Sequence, residues 1–214
     1  IATITLNRPE IRNSFTIPMR LDMIAALEEA SKDSDVRVAV LTGAGRHFCA
    51  GGNVREIAQR HVREVETSGA SRLDERAMSE KVVRTMVGFE KPLVASINGA
   101  AAGGGMDLCT MCDIRIAADT AKFTMAYVRM GVAPGLGGAY FLPRLIGVGK
   151  ALELMWTGKM VDAQEALRIG YVHMVVPLAE LPLATREFAL QLARGPAIAH
   201  RLVKKVAYQA GHVD

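Results

Sequence analysis

KPLVASINGAAAGGGMDLCTMCDIRIAAD, residues 91–119, decides how this chain folds. Leu93 to Ile97 is a short continuous apolar run, the mark of a strand buried on both faces, and Asn98-Gly99 is a turn pair. Small residues lead on to Gly103, Gly104 and Gly105, a short apolar helix is expected from about Met106, and a second buried strand around Ile114 to Ala117. Glycines between a strand and a helix let another backbone or a ligand approach closely, and they leave the first N–H groups of the helix free to donate. Asp107 falls in the first turn of that helix. A carboxylate able to move a proton therefore stands beside dipoles able to hold a negative oxygen. Those residues also suit a plain tight connection with Asp107 as first-turn decoration.

Upstream, Ile1 to Leu6 alternates as a half-buried strand, and Asn7-Arg8-Pro9-Glu10 breaks it. Thr16 and Pro18 start a helix whose apolar face (Met19, Met23, Ala26, Leu27, Ala30) runs to about Ser31, and Val36 to Thr42 reads as a central strand. Strand, helix, strand is the α/β pattern of a parallel sheet. In TGAGRHFCAGGNVREI, residues 42–57, Gly43-Ala44-Gly45 lacks the third glycine of a dinucleotide fingerprint. Phe48 to Asn53 is more telling, because small residues again precede an expected helix start and supply a second set of unencumbered N–H groups. Gln59 to Arg76 is charged, without a sustained apolar period, and reads as a mobile excursion near a site entrance; His61 within it reads as solvated surface. Met78, Val82, Val83, Met86 and Val87 then form a helix stripe ending near Gly88.

Downstream, Phe123 to Val128 reads as a strand, and Pro134 to Gly138 as a glycine-rich turn that opens a helix. A helix from Val148 to Trp156 stops at Gly158, Asp162 caps the next, and Val172 to Val176 is strand-like. From Glu180 only helical periods remain, in two segments split at Gly195-Pro196; the basic residues of the second, Arg201, Lys204 and Lys205, read as a solvated face.

At 214 residues the chain can bury a sizeable core, and with half its residues hydrophobic but only 5% aromatic that core must be aliphatic. The formal charge of +4 suits an acidic ligand, but no basic block with interleaved aromatics supports a nucleic-acid partner. Cys49, Cys109 and Cys112 are an odd, low count that argues for reduced structural thiols and an intracellular, cytoplasmic setting. No His/Cys/carboxylate cluster has ligand spacing, so no metal or redox cofactor is expected, and no apolar run reaches membrane-spanning length. Ile1 already lies within a strand pattern and Asp214 within a helical one, so further residues are expected at both ends.

Five segments in order resemble the enoyl-CoA hydratase/isomerase (crotonase) superfamily. They are ITLNRPEIRNSF, LTGAGRHFCAGGNV, the stretch quoted first, AKF with MGVAPGLGGAYFLPRLIG, and MWTGKMVDAQEALRIGYVHMVVP. The resemblance implies an α/β spiral of β-β-α turns over about residues 1–178, and over 179–214 the start of C-terminal helices that build trimers or dimers of trimers. It also implies an acyl-CoA thioester substrate, with coenzyme A as part of that substrate rather than a separate cofactor. The N–H groups of Gly52 and Gly104 would face the thioester oxygen and stabilise an enolate. Arg12, Ser14 and Phe15, with the backbone of Ala50, Gly52, Asn53 and Val54, would line the coenzyme A path.

Hydratases of the family carry two glutamates. The first position is Asp107 here, and the second is Tyr127, whose unperturbed pKa of about 10 cannot replace a carboxylate base near neutrality. Asp107 is then the main acid/base, with Tyr127 a hydrogen-bonding or packing wall. One carboxylate beside an oxyanion hole suffices for double-bond isomerisation and leaves hydration, decarboxylation or hydrolysis open; a catalytically weakened acyl-CoA-binding subunit is the alternative of another class.

Overall fold

The chain climbs through two sheets at once. In the computed structural model, which describes residues 1–52 and 70–209 (the side chains of 70–75 excepted), the strands are β1 (Ala2–Leu6), β2 (Ala39–Gly43), β3 (His47–Cys49), β4 (Leu93–Ile97), β5 (Ala100–Ala102), β6 (Ile114–Ala118), β7 (Lys122–Thr124), β8 (Val161–Asp162) and β9 (Met174–Val176). Strands β1, β2, β4, β6 and β9 form a five-stranded parallel sheet in that order; β3, β5 and β7 form a parallel sheet that β8 joins antiparallel. Each of the pairs β2–β3, β4–β5 and β6–β7 gives its first strand to the larger sheet and its second to the smaller. One pair therefore advances the chain by one strand in both sheets, which is the α/β spiral that the sequence motifs imply.

The helices are α1 (Ile17–Lys32), α2 (Ala70–Val87), α3 (Gly104–Met111), α4 (Gly138–Ile146), α5 (Val148–Thr157), α6 (Ala163–Arg168), α7 (Leu181–Arg194) and α8 (Ala197–Gln209). The larger sheet is covered on both faces. Leu41, Leu93, Ala95 and Ile97 point into the main core, while Val38, Val40, Val94 and Ile116 meet Leu181 and Ala189 of α7 in a second, smaller core. Two-sided burial is why these strands read as unbroken apolar runs. Asp162 caps α6, its Oδ1 accepting from the Glu165 amide at 2.8 Å. All three cysteines are buried, and among the described residues no helix is long and apolar enough to cross a membrane.

Four expectations need correction. The Ala100–Ala102 run is a strand rather than a linker, because β3 and β7 on either side satisfy its backbone although alanine has little strand preference. Helix α3 begins at Gly104, two residues before Met106. The excursion assigned to residues 59–76 is helical from Ala70, in a stretch with fair helix propensity but no apolar period to reveal it; its earlier part, with His61, lies outside the described residues. Of Phe123 to Val128 only the beginning is strand: Ala126–Met130 is a 3-10 turn, closed by Gly131 at φ 65° with its N–H on the Val128 carbonyl.

Candidate active site

Helix α3 is buried along its whole length, so both its ends must be satisfied internally or by a ligand. At its C-terminus Arg115, itself 1% exposed, donates from Nη1 to the Cys112 carbonyl at 2.6 Å, and from Nε to the Tyr171 carbonyl at 2.5 Å. The N-terminus is different. Gly103 is the N-cap at φ 48°, and its own N–H goes to the Thr124 carbonyl of β7. The Gly104 N–H has no hydrogen-bond partner among the described residues, nor has that of Gly52.

Gly51, the neighbour of Gly52 in the chain, closely approaches the start of α3. Gly51 sits at φ 81°, and a Cβ there would lie 2.5 Å from the Ala102 carbonyl and 3.1 Å from the Gly104 nitrogen. A larger residue at 51 would push the Ala50–Gly52 segment off the helix end. From the other side the Phe15 N–H donates to the Gly51 carbonyl at 2.7 Å, and the Ala50 N–H to the Arg12 carbonyl at 3.0 Å. The expected Arg12–Phe15 and Ala50–Gly52 segments are thus adjacent. Their side chains differ in placement: Arg12 is exposed, the Phe15 ring is in the core, and the Ser14 hydroxyl is used locally on the Ile11 carbonyl. Asn53 and Val54 lie outside the described residues.

The Asp107 side chain has no solvent exposure. Tyr127 donates its hydroxyl to Asp107 Oδ2 at 2.5 Å, and its ring lies over the start of α3, with Oη 3.6 Å from where a Gly104 Cβ would be. Asp107 Oδ1 has no hydrogen-bond partner among the described residues. It faces the N-terminus of α4, where a Cβ on Gly138 would fall 2.0 Å from it. Burial pushes the Asp107 carboxyl up to about 7, against the opposing pull of the Tyr127 hydroxyl and the nearby Leu136 and Gly138 amides. Burial and the neighbouring carboxyl likewise drive the Tyr127 phenol well above its usual range. A carboxyl that titrates near neutrality can both take and return a proton.

Sequence reasoning missed four contributors. Leu136 and Gly138 act through backbone, and only the glycine-rich turn hinted at them. Arg20, half-buried on α1, donates to the Phe15 carbonyl at 3.2 Å, and its charge acts on Tyr127 against the other influences there. Asn13 is the fourth: fully buried at φ 54°, it donates from Nδ2 to the Ala44 and His47 carbonyls at 2.9 and 2.8 Å and fastens the turn that leads to Cys49.

The sequence profile described as enoyl-CoA hydratase/isomerase matches residues 1–212. The chain belongs to the enoyl-CoA hydratase/isomerase family. It is 36% identical to a short-chain-enoyl-CoA hydratase of Clostridium acetobutylicum, over all of this chain and 80% of that protein. It is 34% identical to a 1,2-epoxyphenylacetyl-CoA isomerase of Escherichia coli, over 98% of this chain and 79% of that one. The crystal structure of an enoyl-CoA hydratase from Bacillus anthracis superposes with a TM-score of 0.91 at 35% identity, covering 99% of this chain and 80% of the other. The chain is therefore an enzyme of the hydratase/isomerase family, with the crotonase fold that its five ordered motifs led us to expect.

Proposed function

We propose that the protein forms and reprotonates the enolate of an acyl-CoA thioester, and that its reaction is migration of a double bond along an unsaturated acyl chain. One observation carries this reading: among the described residues the site holds one buried carboxylate, Asp107, whose Oδ2 is bonded by a tyrosine at the position where a hydratase of the family carries its second glutamate. Hydration needs water held and activated as well as a proton delivered. Isomerisation needs only one group that removes a proton from one carbon and returns it to another.

In this reading the Gly52 and Gly104 N–H groups hold the thioester oxygen as negative charge develops on it. Each such donor is worth about 3–4 kcal/mol of barrier lowering in a dry site. The positive end of α3 adds to them. Asp107 is the acid/base, and it works near neutral pH because burial brings its carboxyl to about 7. The reading needs coenzyme A only as part of the substrate. Hydration is the second reading, favoured by the 36% identity to a short-chain-enoyl-CoA hydratase. We also propose that the exposed apolar face of α8, with Ile198 at 75% and Val206 at 62%, packs against further copies of the chain to form a trimer; light scattering on the purified protein tests this.

Proton NMR of 3-enoyl-CoA and 2-enoyl-CoA thioesters incubated with the enzyme tests the reaction. Interconversion of the two without a 3-hydroxyacyl product is expected. Accumulation of the 3-hydroxyacyl thioester at a comparable rate would replace isomerisation by hydration.

A further inference from the structure

Asp107 is the acid/base of the enolate reading, yet its side chain is entirely buried, with Oδ1 shut in against α4 and Oδ2 covered by the Tyr127 hydroxyl. Neither oxygen faces open space. Tyr127, by contrast, is part-exposed, and its Oη lies beside the Gly104 end of α3, where the substrate oxygen would be held. The tyrosine hydroxyl thus lies 3.6 Å from where a Gly104 Cβ would be and 2.5 Å from Asp107 Oδ2.

We infer that Tyr127 is the catalytic residue that touches the substrate carbon, and that Asp107 stands behind it as the proton's store. This rests on the enolate reading and assigns its proton path. The C–H bond beside the thioester carbonyl breaks and its electron pair becomes the enolate, with the charge on the oxygen held by Gly52 and Gly104. The proton bonds to Tyr127 Oη as the existing Tyr127 O–H bond breaks, and that second proton bonds to Asp107 Oδ2. One negative charge moves from Asp107 to the thioester oxygen, and nothing else is consumed. Return of a proton by the same path to a different carbon completes the migration.

The concerted form matters. A free tyrosinate in this setting is unfavourable, since burial and the adjacent carboxyl both oppose it. Passing one proton on as another arrives means that the phenol never carries a full charge. The 2.5 Å separation of Tyr127 Oη and Asp107 Oδ2 is short, as expected for an O–H donor on a carboxylate.

The experiment uses the full chain in four forms: wild type, Tyr127→Phe, Asp107→Asn, and a variant with 3,5-difluorotyrosine inserted at position 127 to lower the phenol pKa. Exchange of the protons beside the thioester carbonyl is followed in D₂O across pH, together with thioester binding. The relay predicts that Tyr127→Phe binds thioester but loses exchange by about 10²–10⁴-fold. It also predicts that the fluorinated variant exchanges at a rate clearly changed from that of the wild type, because the phenol O–H bond breaks in the exchanging step. Exchange at the wild-type rate in Tyr127→Phe, with Asp107→Asn inactive, would overturn the relay and leave the enolate reading standing. A fluorinated variant that exchanges at the wild-type rate would make Tyr127 a positioning residue only and would also overturn it. Absence of exchange in the wild type with every thioester would remove the enolate reading, and the relay with it.

Discussion

The Tyr127 hydroxyl donates to Asp107 Oδ2 at 2.5 Å, in a place where the carboxyl has no access to solvent. A buried carboxyl with one strong donor and one orphaned oxygen is costly to keep ionised, and that cost has a sign in pH. The carboxyl moves from its usual value near 3.8 up to about 7 on folding. Between those values the folded chain holds a proton that the unfolded chain has released, so stability falls as pH rises through this window. Below it the penalty is absent; above it the penalty is complete, on the order of a few kcal/mol. Asp107→Asn keeps an acceptor for Tyr127 and removes the charge. It should melt higher than the wild type at pH 8, with the difference vanishing toward pH 4. Thermal melts at several pH values read this directly, and a pH-independent difference would show that Asp107 does not titrate in this range.

Gly138→Ala tests the other side of the same carboxyl. The added Cβ would stand 2.0 Å from Asp107 Oδ1 and 3.0 Å from Met125 Cε. Overpacking of this kind costs about 1–3 kcal/mol, and relief by rotating Asp107 would break its bond with Tyr127. We expect a lower urea midpoint together with reduced proton exchange; an active variant of unchanged stability would mean that the α4 turn can retreat.

Asn13→Leu should destabilise by about 3 kcal/mol or more. It strips hydrogen bonds from the Ala44 and His47 carbonyls and puts a branched side chain at φ 54°. Because Asn13 holds the turn before Cys49, weaker thioester binding should accompany the lower urea midpoint. Binding at full strength would separate the turn from the site.

The three thiols should be inert in the native protein. Burial pushes Cys49 and Cys112 up to about 12 and Cys109 well above its usual range. Titration with a disulfide reagent at pH 8 should show no rapid phase, and three equivalents should react once the chain is unfolded in denaturant. A fast native equivalent would place one thiol at the surface.

The parts of the fold that were legible in the sequence are those where local pattern and burial agree. Leu93–Ile97 and Ile114–Ala118 are unbroken apolar runs because the sheet is covered on both faces, and Asp162 and Gly158 punctuate their helices as their chemistry requires. Ala100–Ala102 was illegible because its strand character comes wholly from its neighbours. Lys204 was misread as solvated surface. It reaches Asp113 Oδ2 at 2.8 Å with its side chain 11% exposed, a contact 91 residues away in sequence. At the site, the glycine runs and Asp107 could be read, since a helix N-terminus beside a carboxylate has a local signature. The Leu136 and Gly138 amides were only hinted at by their glycine-rich turn, because nothing in residue identity says which distant carboxyl a turn's backbone will face.

In the proposed reaction the site makes a thioester enolate and Asp107 is the final acceptor in the proton transfer. Exchange of the protons beside the thioester carbonyl in D₂O, followed by NMR for saturated and unsaturated acyl-CoA thioesters, addresses it without presuming the product. Exchange is expected with the wild type and should fall by about 10²–10⁴-fold in Asp107→Asn while thioester binding persists. Exchange undiminished in Asp107→Asn, or none in the wild type with any thioester that binds, would contradict it.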